Sequence, residues 1–250
     1  MKIVRFRVHG GTEPRSGELD GEVLYSGGQR FGLEDVSLLA PCVPTKIVCV
    51  GRNYADHAKE MGGDVPARPL LFFKPPSAVI GPDEAIVLPP SGEIHYEAEL
   101  AVVIGRSCRC VPEEKAMDAV LGYTCLNDVT NRTAQAWETN WVRAKGFDTS
   151  APIGPWIVLR EDVEGPFHVA LRLNGEVRQE GWTSSFIFGI PALIATITST
   201  MTLEPGDVIA TGTPAGVGPL RPGDTVEVEI DGIGCLRNPV RAMRIGEGPA

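Results

Sequence analysis

Along much of the chain, apolar and polar positions alternate with a period of two, the pattern of strands that bury one face. The segment EIHYEAELAVVIG, Glu93 to Gly105, shows it best. One set of positions, Ile94, Tyr96, Ala98, Leu100, Val102 and Ile104, reads as a core face. The other begins with His95, Glu97 and Glu99 and then turns apolar at Ala101 and Val103. Positions two apart on a strand share a face, so the two glutamates are neighbours. KIVCVG (46–51), LLFFK (70–74), AIVLPP (85–90) and GYTCLND (122–128) continue the strand pattern, punctuated by proline and glycine.

Helical patterns are few. RNYADHAKEMGG (52–63) is short and closed by glycines, PEEKAMDAVLG (112–122) has helix-forming composition, and NRTAQAWETNWVRA (131–144) is the best helix candidate. The remainder reads as mostly β, with a hairpin signal at Asn174-Gly175 and Pro-Gly-Asp turns at 205–207 and 222–224. Consecutive strands with few helices predict a β-rich α+β fold rather than a doubly wound parallel sheet. The first residues, with short β-like runs between Gly-rich turns, predict a small β-rich subdomain over 1–43. It ends at the Pro-bracketed APCVPT and is followed by the main domain over 44–250.

Composition narrows the partners. The 250 residues are 43% hydrophobic and 22% charged, ordinary for a globular chain with a sizeable core. A net charge of -9 argues against nucleic acid and against an anionic membrane surface. It says nothing against an acidic substrate, because a local cation can outweigh the global field. The apolar run FIFGIPALIATIT (186–198) contains a proline and is too short to span a bilayer, and MKIVRFRVHG reads as a first strand rather than a signal peptide. A cytoplasmic location is the expectation. Cys42, Cys49 and Cys125 lie among apolar neighbours and read as small core residues, whereas Cys108 and Cys110 sit in a turn.

Two adjacent carboxylates repel each other, and each raises its neighbour's pKa. A hard divalent cation removes that cost, and carboxylate oxygens are the ligands that Mg²⁺, Mn²⁺ and Ca²⁺ prefer. For Glu97 and Glu99, a solvated strand face is the alternative. Asp128, at the end of an apolar run, is either a third ligand or the N-cap of the helix that follows. His57 and Glu60 are three apart, hence on one helix face, where a carboxylate would orient an imidazole base; the alternative is a pair facing water. Glycines 51, 62 and 63 would let that helix move as a lid. Arg132 and Gln135 share a helix face, with Lys145 and Arg143 near its C-terminal end as site residues or as dipole partners. Lys74, in FFKPP, buries its stem among apolar residues. ATGTPAGVG (210–218) has neither P-loop nor dinucleotide-binding spacing and reads as a turn presenting the Thr213 hydroxyl.

Seven segments in order resemble the fumarylacetoacetate hydrolase superfamily, in its bacterial 2-hydroxyhepta-2,4-diene-1,7-dioate isomerase and acylpyruvase-like branch. They are VGRNYADHAKEMG, PLLFFKPPSAVIGP, IHYEAELAVVIG, NDVTNRTAQ, RAKGFDTSAPIGP, LNGEVRQEGWTSS and GDVIATGTPAGVG. The resemblance implies a mixed β-roll with short peripheral helices, usually a homodimer. It also implies an Mg²⁺ or Mn²⁺ site (Ca²⁺ in a crystal) on Glu97, Glu99 and Asp128, with a His57–Glu60 dyad and Lys145 as catalytic groups. Arg52, Tyr54, Lys74, Arg132, Gln135 and Thr213 would meet a small anionic 2-oxo acid. The activity implied is C–C hydrolysis of an acylpyruvate or fumarylpyruvate, or decarboxylation, through an enolate. The alternatives are 2-hydroxyhepta-2,4-diene-1,7-dioate isomerisation in aromatic catabolism and, more distantly, metal-dependent binding without catalysis. The sequence departs from relatives at Trp182, expected on a pocket wall, and at Ser185, and Asp56 is a poor match for a further Asp ligand.

Overall fold

Strand Ala98–Ile104 is buried along its whole length near the middle of a twelve-stranded sheet. It runs antiparallel to Val120–Asn127 on one side and to Val208–Ala210 on the other. Beyond Val208–Ala210 the sheet continues through Ile47–Gly51 to an edge at Leu70–Lys74. In the other direction it passes through Ala151–Leu159 to the N-terminal strand Lys2–Val8. The computed structural model describes residues 1–60, 62 and 65–244, so Gly63, the last of the glycines read as flanking a lid, lies outside the described residues.

Both faces of the central strand are covered. Leu100, Val102 and Ile104 pack toward Val169, Leu171, Val226, Val228 and Leu236, which belong to a second, five-stranded sheet. Ala101 and Val103 join a separate cluster with Ile47, Cys49, Leu126, Ile153 and Val208. The change from acidic to apolar along that face therefore marks where a second core begins. Each fully buried Val, Leu or Ile contributes about 1.5–3 kcal/mol, so these two layers hold the strand rigidly behind its acidic end. The N-terminal strands have a small core of their own, Val4, Phe6, Leu19, Leu24 and Val36. Lys2–Val8 also enters the large sheet, through Lys2 and Ile3 opposite Val158 and Ile157.

Among the described residues the α-helices are α1 (Ala55–Glu60), α2 (Arg132–Trp137), α3 (Val142–Lys145) and α4 (Ile190–Thr200). The single helix expected over 131–144 is broken: Trp141 adopts a left-handed φ of 55° between α2 and α3. Glu138 causes the restart, since its carboxylate accepts from the backbone N–H groups of Arg143 at 2.7 Å and Ala144 at 3.3 Å. The segment expected to be helical around 112–122 forms a 3-10 stretch, Glu113–Ala119. Conversely, the C-terminal part is less purely β than its pattern suggests. The run around Pro191 makes α4, where burial of Leu193, Ile194 and Ile197 overrides the weak helix propensity of its β-branched residues. The hairpin signal holds: Asn174 (φ 54°) and Gly175 (φ 83°) take the two left-handed positions joining His168–Leu173 to Glu176–Trp182. No described helix is long and apolar enough to cross a membrane.

Candidate metal and catalytic site

Pairing of the two central strands assembles the acids. Ala98 lies opposite Asn127, so Glu97, Glu99 and Asp128 all fall at one end of the paired strands. Glu97 interrupts the strand there: its N–H donates to Asn127 Oδ1 at 2.9 Å, and its carbonyl accepts from Asp128 N–H at 2.8 Å. One oxygen from each of Glu97, Glu99 and Asp128 lies within 4.8 Å of the others, and all three residues are buried. The N-cap alternative for Asp128 falls away, because Asn131 caps α2 by accepting from Ala134 N–H at 3.0 Å.

The cations around this cluster are distributed unevenly. Lys145 Nζ donates to Glu97 at 2.8 Å and to Asp128 at 2.6 Å. Arg132 forms an ion pair with Glu97 and donates to Gln135 Oε1 at 2.9 Å. Lys74 Nζ donates to the carbonyls of Val129, Lys145 and Ser150 at 2.7–2.9 Å. It also stands 2.9 Å from Asp128 Oδ1, but that oxygen receives no aligned hydrogen bond. Glu99 accepts from Gly212 N–H at 2.7 Å and has no basic side chain against it among the described residues. Burial pushes Glu97 upward, but the charges of Lys145 and Arg132 outweigh this and hold it well below the usual carboxylate range. Glu99 has no such relief: burial, then the charges of Asp128 and Glu97, push its carboxyl well up. For Lys145 burial acts downward, yet Asp128 and Glu97 raise it, so it stays protonated.

This donor set fits a hard divalent cation. It offers clustered carboxylate oxygens, an Asp128 oxygen without an aligned donor, and in Glu99 a buried acid whose charge no side chain neutralises. Nitrogen and sulfur ligands, which softer ions prefer, are absent from the described cluster.

A cavity of about 290 Å³ opens onto the triad, and Arg52, His57, Phe72, Arg132, Gln135, Trp141, Lys145 and Thr213 also line it. His57 is only 5% exposed and lines the cavity, so only the Glu60 half of the pair faces water. Its Nδ1 is 3.0 Å from Glu60 Oε2, while Glu60 Oε1 accepts from Gly216 N–H at 3.0 Å. Lys145, read as either a site residue or a dipole partner, is in the site, while Arg143 is solvent-facing and paired with Glu138. Tyr54 and Lys74 do not line the cavity: Tyr54 packs edge-on against Phe186, and Lys74 lies behind Asp128. Trp182 is also outside it, half exposed and stacked on His168 at 5.0 Å. His95 bonds Glu93 rather than the triad.

Sequence reading passed over several residues that shape the site. Gln179 donates to Thr213 Oγ1 at 2.8 Å and accepts from Ala98 N–H at 3.0 Å, tying two site segments together. Asn127 holds Glu97, and Phe72 and Trp141 form an edge-to-face wall 5.4 Å apart. Asn127, polar at the end of GYTCLND, carried a legible signal; Gln179, in an exposed-looking strand, carried none.

Comparison with known proteins bears directly on this arrangement. Residues 46–241 match the family model described as fumarylacetoacetate (FAA) hydrolase, C-terminal. An uncharacterized protein of Archaeoglobus fulgidus is 52% identical over 94% of this chain and 94% of its own length. Oxaloacetate tautomerase YisK of Bacillus subtilis is 43% identical over 86% of this chain and 76% of its own. Among solved structures, a 5-carboxymethyl-2-hydroxymuconate delta-isomerase from Mycobacterium smegmatis superposes with a TM-score of 0.89 at 44% identity, covering 98% of this chain and all of its own. A maleylpyruvate hydrolase from Sphingobium sp. SYK-6, solved with manganese(II) and pyruvate, gives 0.84 at 33% identity, covering 98% of this chain and 100% of its own. The family match spans the triad, the dyad and every residue lining the cavity, and the chain belongs to the fumarylacetoacetate hydrolase family.

Proposed function

We propose that the protein is a divalent-metal-dependent enzyme acting on a small anionic 2-oxo acid through its enolate, with C–C hydrolysis of the acylpyruvate or fumarylpyruvate type as the leading reaction. The observation that carries this reading is a buried carboxylate triad sharing one cavity with a carboxylate-oriented histidine. Glu97, Glu99 and Asp128 would hold Mg²⁺ or Mn²⁺, and manganese is the ion in the related maleylpyruvate hydrolase structure. When bound, the ion supplies positive charge where negative charge develops on the 2-oxo oxygen.

The side chains do the rest. Glu60 takes up the Nδ1 edge of His57, which leaves Nε2 as the basic nitrogen and lets the glutamate stabilise an imidazolium. His57 accepts a proton from water, and the resulting hydroxide adds to the acyl carbonyl. The C–C bond then breaks with its electron pair passing to the pyruvyl fragment, and His57 returns the proton to that carbon. Lys145, held protonated, acts as a fixed donor rather than as a base. Arg132, Gln135 and Thr213 line the cavity where substrate oxygens would be oriented.

A second reading, enol–keto tautomerisation or double-bond isomerisation, needs the same base without the added water. The named relatives at 43% and 44% identity favour it. A product-resolved panel separates the two readings: Mn²⁺- or Mg²⁺-supplemented enzyme with an acylpyruvate, fumarylpyruvate, oxaloacetate and 2-hydroxyhepta-2,4-diene-1,7-dioate, followed by NMR. Hydrolysis predicts pyruvate together with the matching carboxylic acid from the acylpyruvate or fumarylpyruvate, slowed by about 10²–10⁴-fold in His57→Ala. Isomer without cleavage would establish the second reading. If no substrate turns over with either ion, metal-dependent binding without catalysis is what remains.

A further inference from the structure

Asn53 is completely buried immediately before α1, and its side chain is fully engaged. Its Nδ2 donates to the carbonyls of Phe188 at 3.1 Å and Thr211 at 2.8 Å. Its Oδ1 accepts from Phe188 N–H at 2.8 Å, and its own carbonyl accepts from Ile187 N–H at 2.8 Å. Two donors and an acceptor on so short a side chain belong to asparagine alone; serine has one donor and an ionised aspartate none. The neighbouring Tyr54 continues the strap by bridging to Phe186.

The bond to Thr211 ties the base of α1 to the segment 211–216, which also touches the metal triad, while the others anchor that base to 186–188. Gly212 N–H donates to Glu99, and a side chain on Gly212 would stand 2.7 Å from Asn53 Cβ, so the two residues are pressed together. At the other end of α1, Glu60 is held by Gly216 N–H. One segment thus grips the helix at both ends and orients Glu99 between them.

We propose that Asn53 is a positioning residue for the reaction: it fixes the base of the helix bearing His57 and Glu60 against the segment that orients Glu99. It does not line the cavity and acts only through those groups. The inference rests on the function proposed above.

The test is a double-mutant cycle in the full-length Mn²⁺-loaded enzyme, using whichever substrate the wild type turns over. Asn53→Ala is expected to lower kcat by about 10–100-fold, the usual effect of removing a supporting hydrogen bonder. KM and Mn²⁺ affinity, the latter read by electron paramagnetic resonance, stay within about threefold because the triad itself is untouched. In a His57→Ala background the same substitution costs less than about threefold, since its effect runs through the dyad. A full multiplicative loss in that background, or Mn²⁺ affinity falling in step with kcat, overturns the inference. Hydrogen exchange supplies an independent reading: amides 55–60 lose protection while those of 98–104 do not, and unchanged exchange at 55–60 refutes the proposal even if the wild type has no turnover. Absent turnover alone counts against the proposed function, not against the role of Asn53. Asn53→Ser, which keeps a polar group in place, is read by the same measurements should the alanine variant fail to fold.

Discussion

Glu99 and Lys74 are buried ionisable groups with opposite needs. Lys74 has three carbonyls and Asp128 around its ammonium, so it is saturated by partners that would be stranded without it. Lys74→Met should therefore destabilise the fold by about 3–5 kcal/mol in denaturant unfolding, because three buried carbonyls lose their donor and Asp128 keeps only Lys145. A loss below about 1 kcal/mol would show that water replaces the ammonium easily. Glu99 has only Gly212 N–H, and burial beside the charges of Glu97 and Asp128 disfavours its ionised form. Glu99→Gln keeps a neutral group at this buried position, so the metal-free variant should melt no lower than wild type while losing Mn²⁺ binding in calorimetry. Retained Mn²⁺ affinity would remove Glu99 from the ligand set. Of this residue-level picture, the acids and the dyad were legible as types at suggestive spacings. That Lys74 stands behind the site rather than in it was not, because three of its partners are backbone carbonyls that sequence does not display.

At the scale of elements, the Pro-Gly-Asp turn at 205–207 shows local chemistry carrying a tertiary load. Asp207 accepts from Thr45 N–H and Oγ1, Lys46 N–H and Glu204 N–H at 2.7–3.1 Å, and pairs with Lys46 Nζ. Burial pushes its carboxyl up, but the Lys46 ammonium and these donors outweigh it and hold the group below the usual range. A lowered carboxyl stabilises the fold above the unfolded value, about 3.9, and loses that contribution as pH falls through the folded value. Asp207→Asn should cost about 1–3 kcal/mol at neutral pH, since its amide would face the Glu204 N–H donor-to-donor. The gap between the two proteins should close in acid, and a gap that widens below pH 4 would contradict the assignment. Strands and turns were legible because alternation and Gly/Asn/Pro chemistry are local. The helix boundaries were not: Glu138 splits one predicted helix, and core burial of Leu193, Ile194 and Ile197 makes another within the part read as mostly β.

For the whole molecule, metal, protonation and stability are linked through the triad. Without metal, the raised Glu99 carboxyl stabilises the fold fully only below the ordinary carboxylate range, near 4, and that contribution disappears as pH rises through its folded value. A cation displaces the proton, so Mn²⁺ affinity should increase as pH rises above the ordinary carboxylate range. At a hundredfold excess over Kd, binding is worth about 2.7 kcal/mol. For a chain of this size that raises Tm by roughly 5–10 °C. Thermal melts with and without Mn²⁺ at a series of pH values above that range check this, with the larger rise expected at the higher pH. A rise that stays level as pH increases would mean that Mn²⁺ binding displaces no proton.

The amino-acid order by itself determined the strand-rich class, the turns, the acids at 97, 99 and 128, and a family resemblance that the matched span 46–241 bears out. These features are written in local spacing and residue type, which do not depend on what packs against them. Only the tertiary structure decided which alternative each residue realises. The register of Ala98 against Asn127 gathers Glu97, Glu99 and Asp128, and the second core beginning at Ala101 and Val103 seals the strand behind them. The segment 211–216 brings Glu60 and Glu99 onto one support. Such contacts join residues from 29 (Ala98 to Asn127) to 156 (Glu60 to Gly216) positions apart, and their energies arise from burial and pairing that no local pattern encodes.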